Sequence, residues 1–306
     1  MTYCFAFKVN PDGIGVISDM RLSIGESIED LTVADDYYQK VFNPTSHSFV
    51  AIAGTISHIK KVLSGLDSVM KAVPPSQWYE QFTKSLRERY GELISEGYFS
   101  DSNSPDVALI YGDLYKRHGG MRTRISKFVF TSENGKPTIL CTPPAHKRPV
   151  SIGWSSKGQE LLEGYAYEAA NEFASRPAKV KIVSRGELKR KLGSHAPESN
   201  DAIGIEFDTS GVRDFTCLKE FRRVYNELNN TGSQAVWISP VSMLASATLC
   251  GIQNGMQHAR LAKMEGHECV GNNWNIAIVT SRHGFHIVTH EEKDKIQQFI
   301  QQNSYP

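Results

Sequence analysis

The sequence lacks most of the features that announce a function class. Its 306 residues hold 34 Lys or Arg against 33 Asp or Glu, so neither sign of charge dominates. A formal charge of +1 argues against broad electrostatic binding to nucleic acid or to an anionic membrane. Cysteine is sparse: Cys4, Cys141, Cys217, Cys250 and Cys269 are scattered, odd in number and never at CxxC spacing. They read as reduced thiols of a cytoplasmic protein, neither a disulfide framework nor a zinc site. No apolar run approaches the length of a membrane span. The N-terminus has no basic region leading into an apolar one, so no signal peptide is expected. The ten histidines include His283 and His286, but no pair sits at zinc-ligand spacing with carboxylates, and no metal is expected. No glycine-rich phosphate loop, internal repeat or low-complexity tract occurs. No cofactor is expected, and any ATP would be used by a partner.

What is there is an ordinary globular composition, 40% hydrophobic and 22% charged, long enough for a sizeable core. Thr2 to Val9 alternates as a strand, Asn10 to Gly13 is a turn, and Ile14 to Ser18 is the returning strand. Residues 22–38 are polar and read as irregular. A strand is expected at 48–54, a helix from Thr55 to about Val73, and another from Trp78 to Ile94 with Phe82, Leu86, Tyr90 and Leu93 on one face. Strands follow at 106–112, 125–131, 137–141 and 150–152, then a helix over 158–173. Residues 176–236 change character and read as a small α/β insert in one domain spanning 1–306. It contains strands at 179–183, 202–207 and 235–238 and helices at 187–192 and 217–228. The basic cluster from Lys179 to Lys191 reads as a solvated helix face rather than a nucleic-acid site. A helix over 241–264, strands at 274–280 and 285–288 joined by a turn at Arg282-His283-Gly284, and a polar helix over 291–302 complete the chain. Strand runs alternating with helix pairs predict an α+β fold, two antiparallel sheets between helical layers.

The opening residues suggest a site made from a chain end. If Met1 is removed, Thr2 gains a free amine, with Asp19 and Lys40 downstream to serve it. Five stretches then resemble the proteasome β-type fold of the N-terminal nucleophile (Ntn) hydrolases, which includes the bacterial HslV peptidases and the Anbu-type proteasome homologues. They are Thr2 heading a strand, and Gly13-Ile14-Gly15-Val16-Ile17-Ser18-Asp19-Met20-Arg21, similar to the family's Gly-Val-hydrophobic-Ala-Ala-Asp-x-Arg. Next come Lys40-Val41 with Gly54 following 14 positions after Lys40, and Gly112-Asp113 with Gly153-Trp154-Ser155. Val270-Gly271-Asn272-Asn273-Trp274 leads the closing strand. Together they cover residues 2–175 and about 240–290. The resemblance implies an αββα four-layer sandwich and a homo-oligomer, a ring or open ring. It also implies a peptide or protein substrate, with an ATP-dependent unfoldase as a candidate partner.

The resemblance also implies roles. A threonine hydroxyl needs a base, and its own α-amine, with a reference pKa of about 7.7–8.0, can serve. A cationic Lys40 beside it stabilises the alkoxide, and Asp19 anchors that lysine. The Gly54 N–H is suited to an oxyanion, and Arg21 supports the turn. Amide hydrolysis would run through an acyl-enzyme ester on Thr2. Three positions depart from the pattern. The family's serine after the glycine is Trp154 here, with Ser155 the nearest hydroxyl. The aspartate and serine that bond the threonine amine fall on His267 and Val270. The alternatives are an inactive proteasome-like scaffold subunit and an Ntn amidohydrolase acting on a small amide.

Overall fold

The computed structural model describes residues 2–9, 13–24, 32–100, 105–117, 120–133, 136–142, 149–175, 181–183, 204–206, 240–281 and 284–289. Two five-stranded antiparallel sheets dominate. The first contains β1 (Tyr3–Val9), β2 (Gly13–Asp19), β10 (Val150–Gly153), β13 (Trp274–Thr280) and β14 (Gly284–Ile287), in the order β10-β1-β2-β13-β14. The second runs in sequence order through β5 (Val41–Phe42), β6 (Ser48–Gly54), β7 (Val107–Arg117), β8 (Gly120–Glu133) and β9 (Lys136–Thr142).

The alternation of β1 sorts its side chains between two hydrophobic clusters. Cys4 and Ala6 join Val16, Phe49, Ala51 and Ile110 in a cluster drawn from both large sheets. Tyr3, Phe5 and Phe7 face the other way. They pack with Leu162 and Ala166 of helix α4 (Ser156–Ser175) and with Leu249 and Ile252 of helix α5 (Pro240–Leu261). A third cluster joins Val50, Ile52, Leu109 and Phe128 of the second sheet to helices α1 (Ile56–Val62), α2 (Leu66–Lys71) and α3 (Trp78–Ser95). Phe82 of α3 stacks on Tyr111 at a centroid distance of 4.3 Å and meets Phe128 edge-on at 5.2 Å. The helical spacing of Phe82, Leu86, Tyr90 and Leu93 thus finds the sheet it was shaped for, since all four are buried. Every residue of β2 is buried, as a central strand covered on both faces requires.

Two expectations change. The single helix over 55–73 is two helices, α1 and α2, with Gly65 between them at φ +77°. Leu63-Ser64-Gly65 is a helix stop that the apolar spacing runs straight through. The stretch 22–38 is not irregular throughout. Strands β3 (Leu22–Ile24) and β4 (Thr32–Asp35) pair as a separate two-stranded sheet, with a register shift between Leu22 and Ser23. All of β4 is solvent-exposed, so it carries no apolar alternation for a reader to find. Within 176–236, β11 (Lys181–Val183) pairs antiparallel with β12 (Gly204–Glu206). The helices expected at 187–192, 217–228 and 291–302 and the strand at 235–238 lie outside the described residues. So do the turn positions 10–12, 134–135 and 282–283.

Candidate active site

Four strand ends bring the expected residues together. Thr2 stands just before β1, Asp19 closes β2, Lys40 stands just before β5 and Gly54 closes β6. Cys4 lies opposite Ser18 in the β1–β2 ladder, so the start of one strand meets the end of the other. The Lys40 carbonyl accepts the Ile52 N–H at 3.0 Å, which ties Lys40 to the strand that ends at Gly54.

Asp19 is wholly buried and is the hub of the arrangement. Its Oδ1 accepts the Tyr3 N–H at 2.6 Å. Its Oδ2 accepts the Lys40 Nζ at 2.9 Å, the Arg21 N–H at 3.1 Å and the Gly271 N–H at 3.2 Å. Lys40, only 2% exposed, also donates to the Arg21 carbonyl at 2.5 Å. Desolvating two such charges costs several kcal/mol per ion, and a buried pair is tolerated when other hydrogen bonds complete it. Three backbone N–H groups and one carbonyl do that here. An ammonium has three N–H donors. Two are engaged among the described residues, leaving one for the pocket that Lys40 lines with Thr2, Arg21, Ala53, Gly54 and Ile56.

Thr2 is buried, and its carbonyl oxygen accepts the Trp154 N–H at 2.7 Å. The Thr2–Tyr3 peptide is therefore gripped at both ends, by Trp154 at its C=O and by Asp19 at its N–H. Gly54 takes φ +113°, and a Cβ there would overlap the Asp106 carbonyl oxygen. Only glycine combines that backbone with that approach. Arg21 acts as a tie. Its Nε pairs with Asp36 at 2.8 Å and its Nη1 donates to the Glu268 carbonyl at 2.8 Å. Behind Thr2, burial pushes the Tyr3 phenol well above its ordinary range. Burial likewise raises the Cys4 thiol far above the usual thiol range; the nearby Lys40 charge opposes that shift and Asp19 reinforces it.

The remaining expected residues make other contacts. The Ser155 hydroxyl accepts the Gly158 N–H at 3.2 Å and so caps the start of α4. Trp154 is buried, and its indole N–H donates to the Glu265 carbonyl at 2.9 Å. His267 is joined through Nδ1 to the Met264 carbonyl at 2.7 Å and to Glu268 at 2.9 Å. Val270 is buried in the cluster under α4 and α5. Neither the Ser155 hydroxyl nor the His267 ring bonds Thr2 among the described residues.

Sequence reasoning missed three participants. Gly271 lies within the closing stretch quoted above, but nothing in its neighbours says that its N–H binds Asp19. Its Cα also lies so close to Arg21 that a Cβ would come within 2.7 Å of the Arg21 Cβ. Asp36 was one acid among several in a polar run. Gln159 carries no local signal at all, yet it holds the Gly153–Trp154 turn. Among the described residues no group of three or more His, Cys, Asp or Glu could hold a metal ion, and no helix is long and apolar enough to cross a membrane.

No protein-family model and no curated protein matches the chain. Among solved structures it is similar to an Anbu (Gly-1) mutant from Hyphomicrobium sp. strain MC1. The TM-score is 0.46 and the identity 11%, over 99% of this chain and 95% of that one.

Proposed function

We propose that the chain is a threonine-type N-terminal nucleophile hydrolase, a proteasome-like peptidase that cleaves amide bonds after Met1 is removed. The observation that carries this reading is the buried Lys40 ammonium, anchored by Asp19, on the wall of the pocket that Thr2 also lines. A buried cation with one donor to spare beside a hydroxyl is what an alkoxide nucleophile needs. In this scheme the Thr2 hydroxyl oxygen attacks the substrate carbonyl while its proton passes to the Thr2 amine. Lys40 stabilises the alkoxide, and the Gly54 N–H serves the developing oxyanion. The amine then returns the proton to the leaving nitrogen as the C–N bond breaks, leaving an ester on Thr2 that water hydrolyses.

The same proposal takes the fold as an αββα sandwich, supported by three clusters of which one lies between the sheets and one on the far side of each. It takes 1–306 as one domain carrying an insert at 176–236. It also takes the protein as a cytoplasmic homo-oligomer, ring or open ring, acting on peptide or protein with an ATP-dependent unfoldase as partner.

The test begins with mass spectrometry of the N-terminus of the purified protein, where loss of Met1 is expected. A β-lactone probe should then label the wild type and fail on Thr2→Ala. Retained Met1, or equal labelling of both proteins, would overturn the reading. A second reading, an inactive scaffold subunit, is favoured by one observation. By the resemblance, Trp154 replaces the family's serine after the glycine and Val270 a serine that bonds the threonine amine, and both are buried in the core. Assembly in sedimentation velocity without any labelling would support the scaffold instead.

A further inference from the structure

Gln159 sits in the opening turns of α4 and uses the whole of its side-chain amide. Its Nε2 donates to two successive carbonyls, Gly153 at 2.9 Å and Trp154 at 3.0 Å. Its Oε1 accepts the Lys127 ammonium at 3.4 Å and lies 3.1 Å from the Ser151 hydroxyl, whose single proton is shared with the Glu163 carboxylate at 2.5 Å. Two donors and two lone pairs are all that a primary amide offers. The partners also fix which end is oxygen, because a flipped amide would press oxygen against two carbonyls.

The consequence lies in a single peptide group. The peptide joining Gly153 to Trp154 is bound by Gln159 at its C=O and by Thr2 at its N–H, the latter at 2.7 Å. A peptide is planar, so fixing the carbonyl direction fixes the N–H direction. Gln159 therefore aims the Trp154 N–H at the Thr2 carbonyl. Gly153, at φ +98°, lets that turn approach so closely that any Cβ would overlap the Thr2 carbonyl oxygen. The indole bond to Glu265 secures the turn from the opposite side. The other end of the Thr2–Tyr3 peptide is held by Asp19, which also holds Lys40. Thr2 is thus referenced to Lys40 through Asp19 on one side and to α4 through Trp154 and Gln159 on the other.

We infer that Gln159 is a positioning residue for Thr2: by orienting the Gly153–Trp154 peptide it sets where the Thr2 hydroxyl stands relative to Lys40. This rests on the reading of Thr2 as the nucleophile. Misplacing a reacting atom by about 1 Å can cost on the order of 100-fold in rate.

The experiment measures labelling of Thr2 by a β-lactone probe in wild type, Gln159→Met and Gln159→Glu, on the full chain after Met1 loss. Circular dichroism and thermal melting follow the fold in parallel. Gln159→Met keeps the volume and removes all four contacts. Gln159→Glu keeps the length and the acceptor toward Ser151, and sets an oxygen against the two carbonyls. Both variants should lose about tenfold or more in the saturating labelling rate, with the half-saturating probe concentration within about twofold of wild type. A core residue with no part in positioning would lower the melting temperature without that split. Unchanged labelling by either folded variant would overturn the inference. So would failure of both to fold, since Gln159 would then serve stability alone. Absence of labelling in the wild type would instead refute the nucleophile itself.

Discussion

Lys40 Nζ stands 2.9 Å from Asp19 Oδ2, and neither side chain exposes more than 2% of its surface. The pair is not symmetric. Without Lys40, Asp19 still accepts the N–H groups of Tyr3, Arg21 and Gly271. Without Asp19, Lys40 retains only the Arg21 carbonyl among the described residues, and three N–H groups, two of them buried, lose their acceptor. Asp19→Ala should therefore destabilise the protein by at least about 3–5 kcal/mol, the usual cost of orphaning a buried charge. Lys40→Met should cost clearly less and stay folded, yet lose probe labelling at Thr2. Urea unfolding of the two variants checks the order. Equal destabilisation would show that the backbone donors contribute nothing to holding Asp19.

Arg21 reaches outward from this hub to Asp36, a half-exposed carboxylate, at 2.8 Å. Ion pairs open to solvent contribute little, so Asp36→Asn should change stability by no more than about 1 kcal/mol. Arg21→Ala should cost more, because the Glu268 carbonyl loses its donor as well as Asp36 losing its partner. Chemical denaturation of both variants decides it. A larger loss from Asp36→Asn than from Arg21→Ala would contradict the geometry.

The glycines separate into two kinds with opposite expected effects. Gly153→Ala must force a side chain into φ +98° and onto the Thr2 carbonyl. A cost of about 2–5 kcal/mol is expected, from a left-handed backbone and an overpacked contact together. Gly91 in α3 and Gly164 in α4 have nothing within 4 Å of where a Cβ would go. Gly91→Ala and Gly164→Ala should each stabilise by about 0.5–1 kcal/mol, since alanine loses less backbone entropy in a helix. Melting temperatures of the three variants test the contrast.

How much of this was legible in the sequence depends on how far apart the partners lie. Strand and helix periodicity marked most described elements, because burial on one face imprints a period of two or 3.6. Asp19, Lys40 and Gly54 could be picked out because each sits at a strand end within the first 54 residues, at spacings that carry a resemblance. The hydrogen bond from Gly271 to Asp19 spans 252 positions and leaves no local trace. Gln159 reads as one more polar residue early in a helix. Its partners are backbone carbonyls, and a carbonyl has no identity in a sequence. The β3–β4 pair was invisible for another reason: its pairing is made by the backbone, while β4 presents every side chain to water.

Burial also predicts how the fold fails in alkali. The phenols of Tyr3 and Tyr111 are both held well above the ordinary tyrosine value, chiefly because burial disfavours phenolate. In the unfolded chain each would lose its proton near pH 10. From there upward the folded state binds more protons than the unfolded one, so stability falls as pH rises. Below about pH 10 this contribution is fully present. Unfolding should set in above that value, with the last tyrosinate absorbance appearing together with loss of the circular dichroism signal. Tyr3→Phe removes one such group and should move the alkaline midpoint to higher pH. If the absorbance of all 12 tyrosines developed before any loss of circular dichroism, Tyr3 and Tyr111 would not be shielded as their burial requires.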